Sequence, residues 1–291
     1  MKKIVFTVLL FVCIALSGCK EQSATQTESS KIQVAVSIVP QAEFVKAVGG
    51  DLVDVVTMIP SGKSTENYAP TPQEIEKFSN SSLYFAVGVP TEIANILPKA
   101  RELNKHLKII KLNDEVRKAY PEREFYPGSR DPHIWMSPKR VKVMVEIISN
   151  ELSKIDSKNK SLYEKNAQEY CNKLDELNKQ IKESLSNLKN KTFIVYHPAL
   201  GYFADEYGLR MLSLEEEGKD ATAKDFEQKI SEAKKQGIKV IFYQAEIDSK
   251  QSKAFAEELN GSTEQISPLA PDYIENLRKT ADTFVRVLNK Q

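Results

Sequence analysis

Residues 159–189 read NKSLYEKNAQEYCNKLDELNKQIKESLSNLK, and Tyr163, Ala167, Tyr170, Leu174, Leu177, Ile181 and Leu188 recur there at nearly three- and four-residue intervals. No Gly or Pro interrupts them. That spacing predicts one unbroken helix with a single apolar stripe. At about 1.5 Å per residue it would extend roughly 40–45 Å. The same stripe would suit one member of a coiled coil. A single such stretch in a 291-residue globular chain predicts instead a helix packed along the chain's own domains.

On either side of this helix the pattern alternates. Ile32, Val34, Val36 and Ile38 follow a strand's period of two, and Phe44, Val45 and Val48 form a short helical face before Gly49-Gly50. Residues 53–59, 83–87 and 108–112 read as further strands. Thr71-Pro72-Gln73-Glu74 is a capping box with proline at the first helical position. Ser137-Pro138 opens a helix whose apolar positions are Val141, Met144, Val145, Ile148 and Leu152. Beyond residue 189, strands at 192–196, 211–214, 240–243 and 263–266 alternate with helices ending at Tyr207-Gly208, at Gln236-Gly237, at Leu259 and at Leu288. Strands alternating with helices predict parallel sheets. The expected fold class is α/β, with two lobes (31–158 and 190–291) of mainly parallel sheets, each with its own core, joined by one long rigid linking helix (159–189).

Lys2 and Lys3 precede an apolar run over residues 4–16, which ends in Leu16-Ser17-Gly18-Cys19. This describes a secretory signal too short to span as a helix. The last four residues resemble the bacterial lipobox, which makes residues 1–18 a lipoprotein signal peptide and Cys19 the lipidation point. Several acyl chains on one residue anchor firmly. Residues 20–30 are polar apart from one alanine, so 19–30 is expected to be a disordered tether. The expected location is the extracytoplasmic face of the cell membrane, or the periplasm. Removing residues 1–18 takes away Lys2, Lys3 and Cys13 and moves the net charge from +1 to −1. Cys171 is then the single unmodified thiol, and no intramolecular disulfide is available. A near-neutral balance without basic blocks argues against nucleic-acid binding.

No His-Glu-x-x-His, Gly-x-Ser-x-Gly, phosphate-binding Gly-rich loop or Cys-x-x-Cys occurs, so the chain is not expected to be an enzyme. Two of its three histidines share a setting. Asp131-Pro132-His133-Ile134-Trp135 and Val195-Tyr196-His197-Pro198 both put the imidazole beside a proline, where an apolar stretch gives way to a helix start. In an α/β fold that position is the edge of a sheet, where ligands are held. His106, in Lys105-His106-Leu107-Lys108, has no such setting. The pair predicts a site for a metal or a small anion.

Together with Pro60-Ser61-Gly62 through Tyr68-Ala69-Pro70-Thr71-Pro72, and Tyr196-His197-Pro198-Ala199-Leu200-Gly201-Tyr202-Phe203, these motifs resemble the solute-binding lipoproteins of zinc and manganese ABC importers. The resemblance covers about residues 31–290. It implies two α/β lobes, a rigid linking helix, one divalent transition-metal ion in the cleft, an ABC permease as partner and a monomeric protein. His133 and His197 match the family's histidines. Where the family has its first histidine, this chain has Glu66, whose carboxylate is able to bind Zn²⁺ or Mn²⁺.

The family often has an aspartate before a late Pro-Leu; here the sequence is Ser267-Pro268-Leu269. Gln244, Glu246, Asp272 or water are then the choices for a fourth ligand. Gln244 stands where relatives often have glutamate and is carried forward, with water as the alternative. The segment 117–130 lacks the histidines of the zinc members' His-rich loop. Two imidazoles and one carboxylate with an open fourth position favour Zn²⁺, with Mn²⁺ as the other choice. Affinity is expected to fall at acid pH, because a bound imidazole must be deprotonated. Trp135 is expected to pack near the site as core, and Glu215-Glu216-Glu217 to be a solvated acidic loop. The glycine-led loop 62–67 is expected to be the moving part. Two alternative functions are an adhesin with a vestigial metal site and the same fold carrying a chelated metal.

Overall fold

The computed structural model describes residues 31–215, 222–247 and 250–290. The signal peptide 1–18, Cys19 and the tether 19–30 lie outside the described residues.

The first half runs β1 (Ile32–Ile38), α1 (Val39–Gly49), β2 (Val53–Ile59), α2 (Pro72–Ser79), β3 (Leu83–Ala86), α3 (Leu97–Leu103), β4 (Lys108–Lys111), α4 (Leu112–Arg117), β5 (Glu124–Tyr126), β6 (Ser129–Arg130) and α5 (Pro138–Ile155). After α6 (Lys160–Leu185), the second half runs β7 (Thr192–Val195), α7 (Gly201–Tyr207), β8 (Arg210–Ser213), α8 (Ala223–Lys235), β9 (Val240–Gln244), α9 (Lys250–Glu258), β10 (Ser262–Ile266) and α10 (Tyr273–Leu288).

Two four-stranded sheets form, ordered β2-β1-β3-β4 and β10-β9-β7-β8, and every pairing in them is parallel. Counted from its own first strand, each sheet therefore has the same order: second, first, third, fourth. In each sheet the connections leave the first and third strands on opposite sides, which opens a crevice at the carboxyl ends. Residues 34–38 of β1 are buried without alternation, as expected for a parallel strand covered on both faces.

At 26 residues, α6 is about 39 Å long. Its buried stripe is the predicted one, with Cys171 and Leu185 added. The helix is shorter than 159–189 because Ser157–Asn159 form a 3₁₀ turn before it and the chain leaves the helix after Leu185, although Leu188 stays buried. Cys171 is free, and burial pushes its thiol up to about 11, so it is an inert filler of the stripe.

Independent cores for the two lobes were expected, but the main core is shared. One continuous apolar cluster runs from Val34 in β1 through Trp135, Leu174 and Phe193 to Leu288. A smaller one, around Ile194, Ile241 and Phe255, lies with residues of the second half only. The shared part is closed by α10. The Tyr273 ring stands edge-on to Phe44 at 5.0 Å, and Phe284 lies 4.6 Å from Phe193 and 4.7 Å from Phe242. The Trp135 indole donates to Pro268 O at 2.9 Å, and Tyr273 donates to Trp135 O at 2.7 Å. The late Ser267-Pro268-Leu269 segment is thus part of the stitching between halves.

Three local features were not anticipated: α3 with a π-helical turn at Glu92–Ile96 before it, α4 taking Leu112 from the expected strand, and the β5–β6 hairpin. All are too short to show a period. Among the described residues, no helix is long and apolar enough to cross a membrane.

Candidate metal centre

β7 ends at Val195, and Tyr196 N–H continues the sheet by donating to Phe242 O at 2.8 Å. His197 therefore emerges at the carboxyl edge of the second sheet, beside its crevice. The register Val195↔Ser213 with β8 and Val195↔Phe242 with β9, continued by two residues, sets His197 between Glu215 and Gln244. Contact with Glu215 follows: His197 Nδ1 lies 3.1 Å from Glu215 Oε1.

His133 is built differently. It stands between the hairpin and the 3₁₀ turn Ile134–Met136 that leads to the Ser137 cap of α5. Asp131 Oδ1 accepts the His133 backbone N–H at 3.0 Å and lies 2.7 Å from His133 Nδ1. The other oxygen, Oδ2, accepts from Arg123 Nη1 at 3.0 Å, and Arg123 Nε donates to Asp205 at 3.0 Å. This buried carboxylate is fully paired. Close approach of α7 depends on Gly201, where a Cβ would come within 2.6 Å of Asp131 Oδ2 and of the Arg123 guanidinium. Tyr202, one residue on, accepts Arg123 N–H at 2.8 Å, and burial holds its phenol above the usual range.

Glu66 comes from the loop after β2. Lys63 N–H donates to Pro60 O at 3.2 Å with Gly62 at φ 76°, the left-handed third position of a tight turn. Thr65 Oγ1 donates to Glu66 Oε1 at 3.3 Å, and Glu66 N–H donates to Ser64 Oγ at 3.1 Å.

These three side chains meet. One ligand atom from each of Glu66, His133 and His197 lies within 4.8 Å of the others. The two Nε2 atoms are 3.2 Å apart, and Glu66 Oε1 is 3.8 Å from His197 Nε2. A carboxylate at each Nδ1 assigns the proton there, which leaves both Nε2 atoms as lone pairs facing one another. Two lone pairs and a carboxylate repel unless a cation lies among them. Nitrogens bound to one tetrahedral ion at about 2.0–2.1 Å would stand roughly 3.3–3.4 Å apart, close to the spacing present. The site opens on a pocket of about 490 Å³, with Ile93, Phe125 and Pro198 in its walls.

The remaining expected residues fall as follows. Trp135 is buried core, its ring 5.2 Å from that of His133. Gln244 is buried at the end of β9, its Nε2 finds no acceptor, and it is not among the described residues lining the pocket. Glu246 is half-buried, with Oε2 unpaired. Asp272 is exposed and faces a different depression, between α1, α6 and α10, which removes it as a ligand. His106 is exposed. Glu215 overturns the expectation of a solvated acidic loop: it is only 4% exposed and holds His197, while Glu216 and Glu217 lie outside the described residues. Asp131 and Glu215 are the functional residues that sequence reading missed. A carboxylate two residues before a histidine is a visible signal for the first. For the second, the signal is the strand register.

The profile of the family described as "Zinc-uptake complex component A periplasmic" (ZnuA) matches residues 34–287. The metal ABC transporter substrate-binding lipoprotein SsaB of Streptococcus sanguinis is 27% identical over 273 residues, covering 89% of this chain and 87% of its own. Zinc-binding protein AdcA of Streptococcus pyogenes serotype M1 is 27% identical over 317 residues, covering 98% of this chain; the chain spans 61% of AdcA's length. The manganese ABC transporter substrate-binding lipoprotein PsaA of Streptococcus anginosus is 26% identical, covering 89% of this chain and 87% of its own. Among solved structures, ZnuA superimposes with a TM-score of 0.83 at 32% identity, over 88% of this chain and 99% of that one.

Proposed function

The chain belongs to the zinc-uptake complex component A family, and from that premise we propose that it captures one Zn²⁺ through Glu66, His133 and His197 and hands it to an ABC permease. Its class is the metal-binding, substrate-binding component of an ABC importer and not an enzyme. The observation that carries the finer reading is the convergence of two imidazole lone pairs and one carboxylate, each imidazole backed by a buried carboxylate.

Two nitrogens and one oxygen are a three-ligand zinc set, with the fourth position taken by water or by Gln244. The absent aspartate removes a hard oxygen of the kind manganese prefers. Relatives divide: AdcA is named for zinc and PsaA for manganese. The ion is cargo, so release comes from distortion of the cage rather than from chemistry on the metal. In this reading 31–158 and 190–291 are the lobes of the cleft and 159–189 the strut between them. Cys19 carries the lipid once 1–18 is removed, 19–30 is the tether, and the protein works as a monomer on the extracytoplasmic face.

Native mass spectrometry with elemental analysis, on protein purified without chelator, tests this. The expected result is one divalent ion per chain, tighter competition by Zn²⁺ than by Mn²⁺, and loss of the ion in His133→Ala. Metal retention at wild-type levels in both His133→Ala and His197→Ala overturns the ligand set. Tighter Mn²⁺ than Zn²⁺ overturns the choice of metal.

A further inference from the structure

The loop that carries Glu66 is not free. Thr91, fully buried, faces it from two sides: its N–H donates to Thr65 O at 2.9 Å, and its Oγ1 accepts from Tyr68 N–H at 2.9 Å. These bonds grip the backbone just before Glu66 and two residues after it. Asn95 Nδ2 adds a third, to Tyr68 O at 2.9 Å. From Glu92 to Ile96, a stretch that includes Asn95, the chain makes a π turn, with Leu97 N–H reaching back to Glu92 O. Such turns concentrate at functional sites.

Glu92, the next residue, anchors this segment from beneath. Its carboxylate accepts Val87 N–H at 2.9 Å, Gly88 N–H at 3.1 Å and the Ser37 hydroxyl. The carbonyls of those same two residues accept from Arg130, Val87 O at 3.0 Å and Gly88 O at 2.8 Å. Arg130 precedes Asp131, the carboxylate that fixes His133. One short segment thus connects the backbone of Glu66 to the support of His133.

We propose that Thr91 is a positioning residue for metal capture: it holds the Glu66 loop in its binding geometry, at a fixed distance from His133, before the ion arrives. This rests on Glu66 and His133 being ligands. A ligand already in place spares the ion the cost of ordering a loop on arrival and slows its escape. It also narrows the expectation that the loop 62–67 is the moving part, since exposed Gly62 and Lys63 form the turn while Thr65 and Tyr68 are held.

The test is Thr91→Val, which keeps the approximate size and replaces the hydroxyl, and with it the Oγ1 acceptor, by a methyl, read with Co²⁺ as a spectroscopic stand-in for the ion. The expected result is a changed Co²⁺ d–d absorption spectrum, roughly tenfold weaker Zn²⁺ binding, as for supports behind a ligand, and faster hydrogen exchange at Tyr68. Thr91→Ser, which keeps the acceptor, restores all three. Asn95→Ala, should Thr91→Val not fold, moves the spectrum in the same direction by less. A lowered Tm with wild-type spectrum and affinity in Thr91→Val makes the role merely structural and overturns the proposal. If Glu66→Ala also leaves the spectrum unchanged, the ligand assignment has failed and the positioning role falls with it; a change in Glu66→Ala alone isolates the failure to Thr91.

Discussion

In the first sheet the crevice between β1 and β3 is filled from within. Glu92 takes the free amides of Val87 and Gly88, Ser37 bridges Glu92 and the Tyr84 hydroxyl, and Gln41 Oε1 accepts Ser37 N–H at 3.0 Å and Ile38 N–H at 3.1 Å while Nε2 donates to Phe85 O. In the second sheet, with the same strand order, the corresponding edge between β7 and β9 carries His197 and the unpaired Gln244 Nε2. One crevice fills itself with the Glu92 carboxyl; the other points two imidazoles and a carboxylate at one another, an arrangement suited to a cation. A shared topology offers two places for a ligand, and individual side chains decide which is used.

The largest effect expected from this contrast is on the open side. His197→Ala should weaken Zn²⁺ binding by roughly 100-fold or more, since even outer supports are worth about 10–100-fold. Calorimetric titration measures it, and a change within threefold would erase the distinction between the crevices. Glu215→Ala comes next, at roughly 10–100-fold, because the His197 ring loses the acceptor that fixes its tautomer. Glu215→Gln, which keeps an acceptor, should fall between it and wild type. Equal affinity for Glu215→Ala and wild type would return Glu215 to the role of a bystander.

On the filled side the readout is stability. Glu92→Gln replaces one accepting oxygen by a donor that faces backbone N–H or hydroxyl, at a cost of about 1–3 kcal/mol. Burial raises the Glu92 carboxyl above the usual carboxylate range. A raised folded value gives stability that is fully present in acid and is lost as pH rises through that value. The Tm advantage of wild type over Glu92→Gln should therefore be widest in acid and narrow toward neutral pH. An advantage that widens with pH would show that the carboxylate form is the favoured filling. The smallest effect is Gln244→Leu: removing a buried donor that has no acceptor should change stability by no more than about 1 kcal/mol. A loss of several kcal/mol would mean the donor is satisfied in solution.

Much of this was legible in the chain. Period-two and three-four spacings marked both sheets and the long helix to within a few residues, because parallel strands and amphipathic helices write their burial into the sequence. His133 and His197 were readable as a pair from their shared setting and Glu66 only through the resemblance of its loop; the three side chains do converge. Glu215 was not, because three consecutive acids look like a solvated loop and only the β7–β8 register sets the first of them against His197. Glu92 and Thr91 were equally hidden: one turn of π helix has no period, and a buried acid looks like any other until its partners are known. The stripe on α6 was plain in sequence. That α10 would join α5 on it, and merge the lobes' interiors, depends on contacts such as Tyr273 with Trp135, more than a hundred residues apart.

α10 has one more consequence, for the order in which the molecule acquires its shape. Tyr273, Leu277, Phe284 and Leu288 sit at the end of the chain and inside the interior that β1 also occupies. Contacts of such long sequence separation close late and slowly. A growing chain that stops short of residue 272 leaves Phe44 without the Tyr273 ring and Phe193 without the Phe284 ring, so neither half is finished by the time its own strands have been made. The shared interior is therefore expected to close only once α10 has docked, and a chain lacking α10 should lose hydrogen-exchange protection in β1 as well as in the second half.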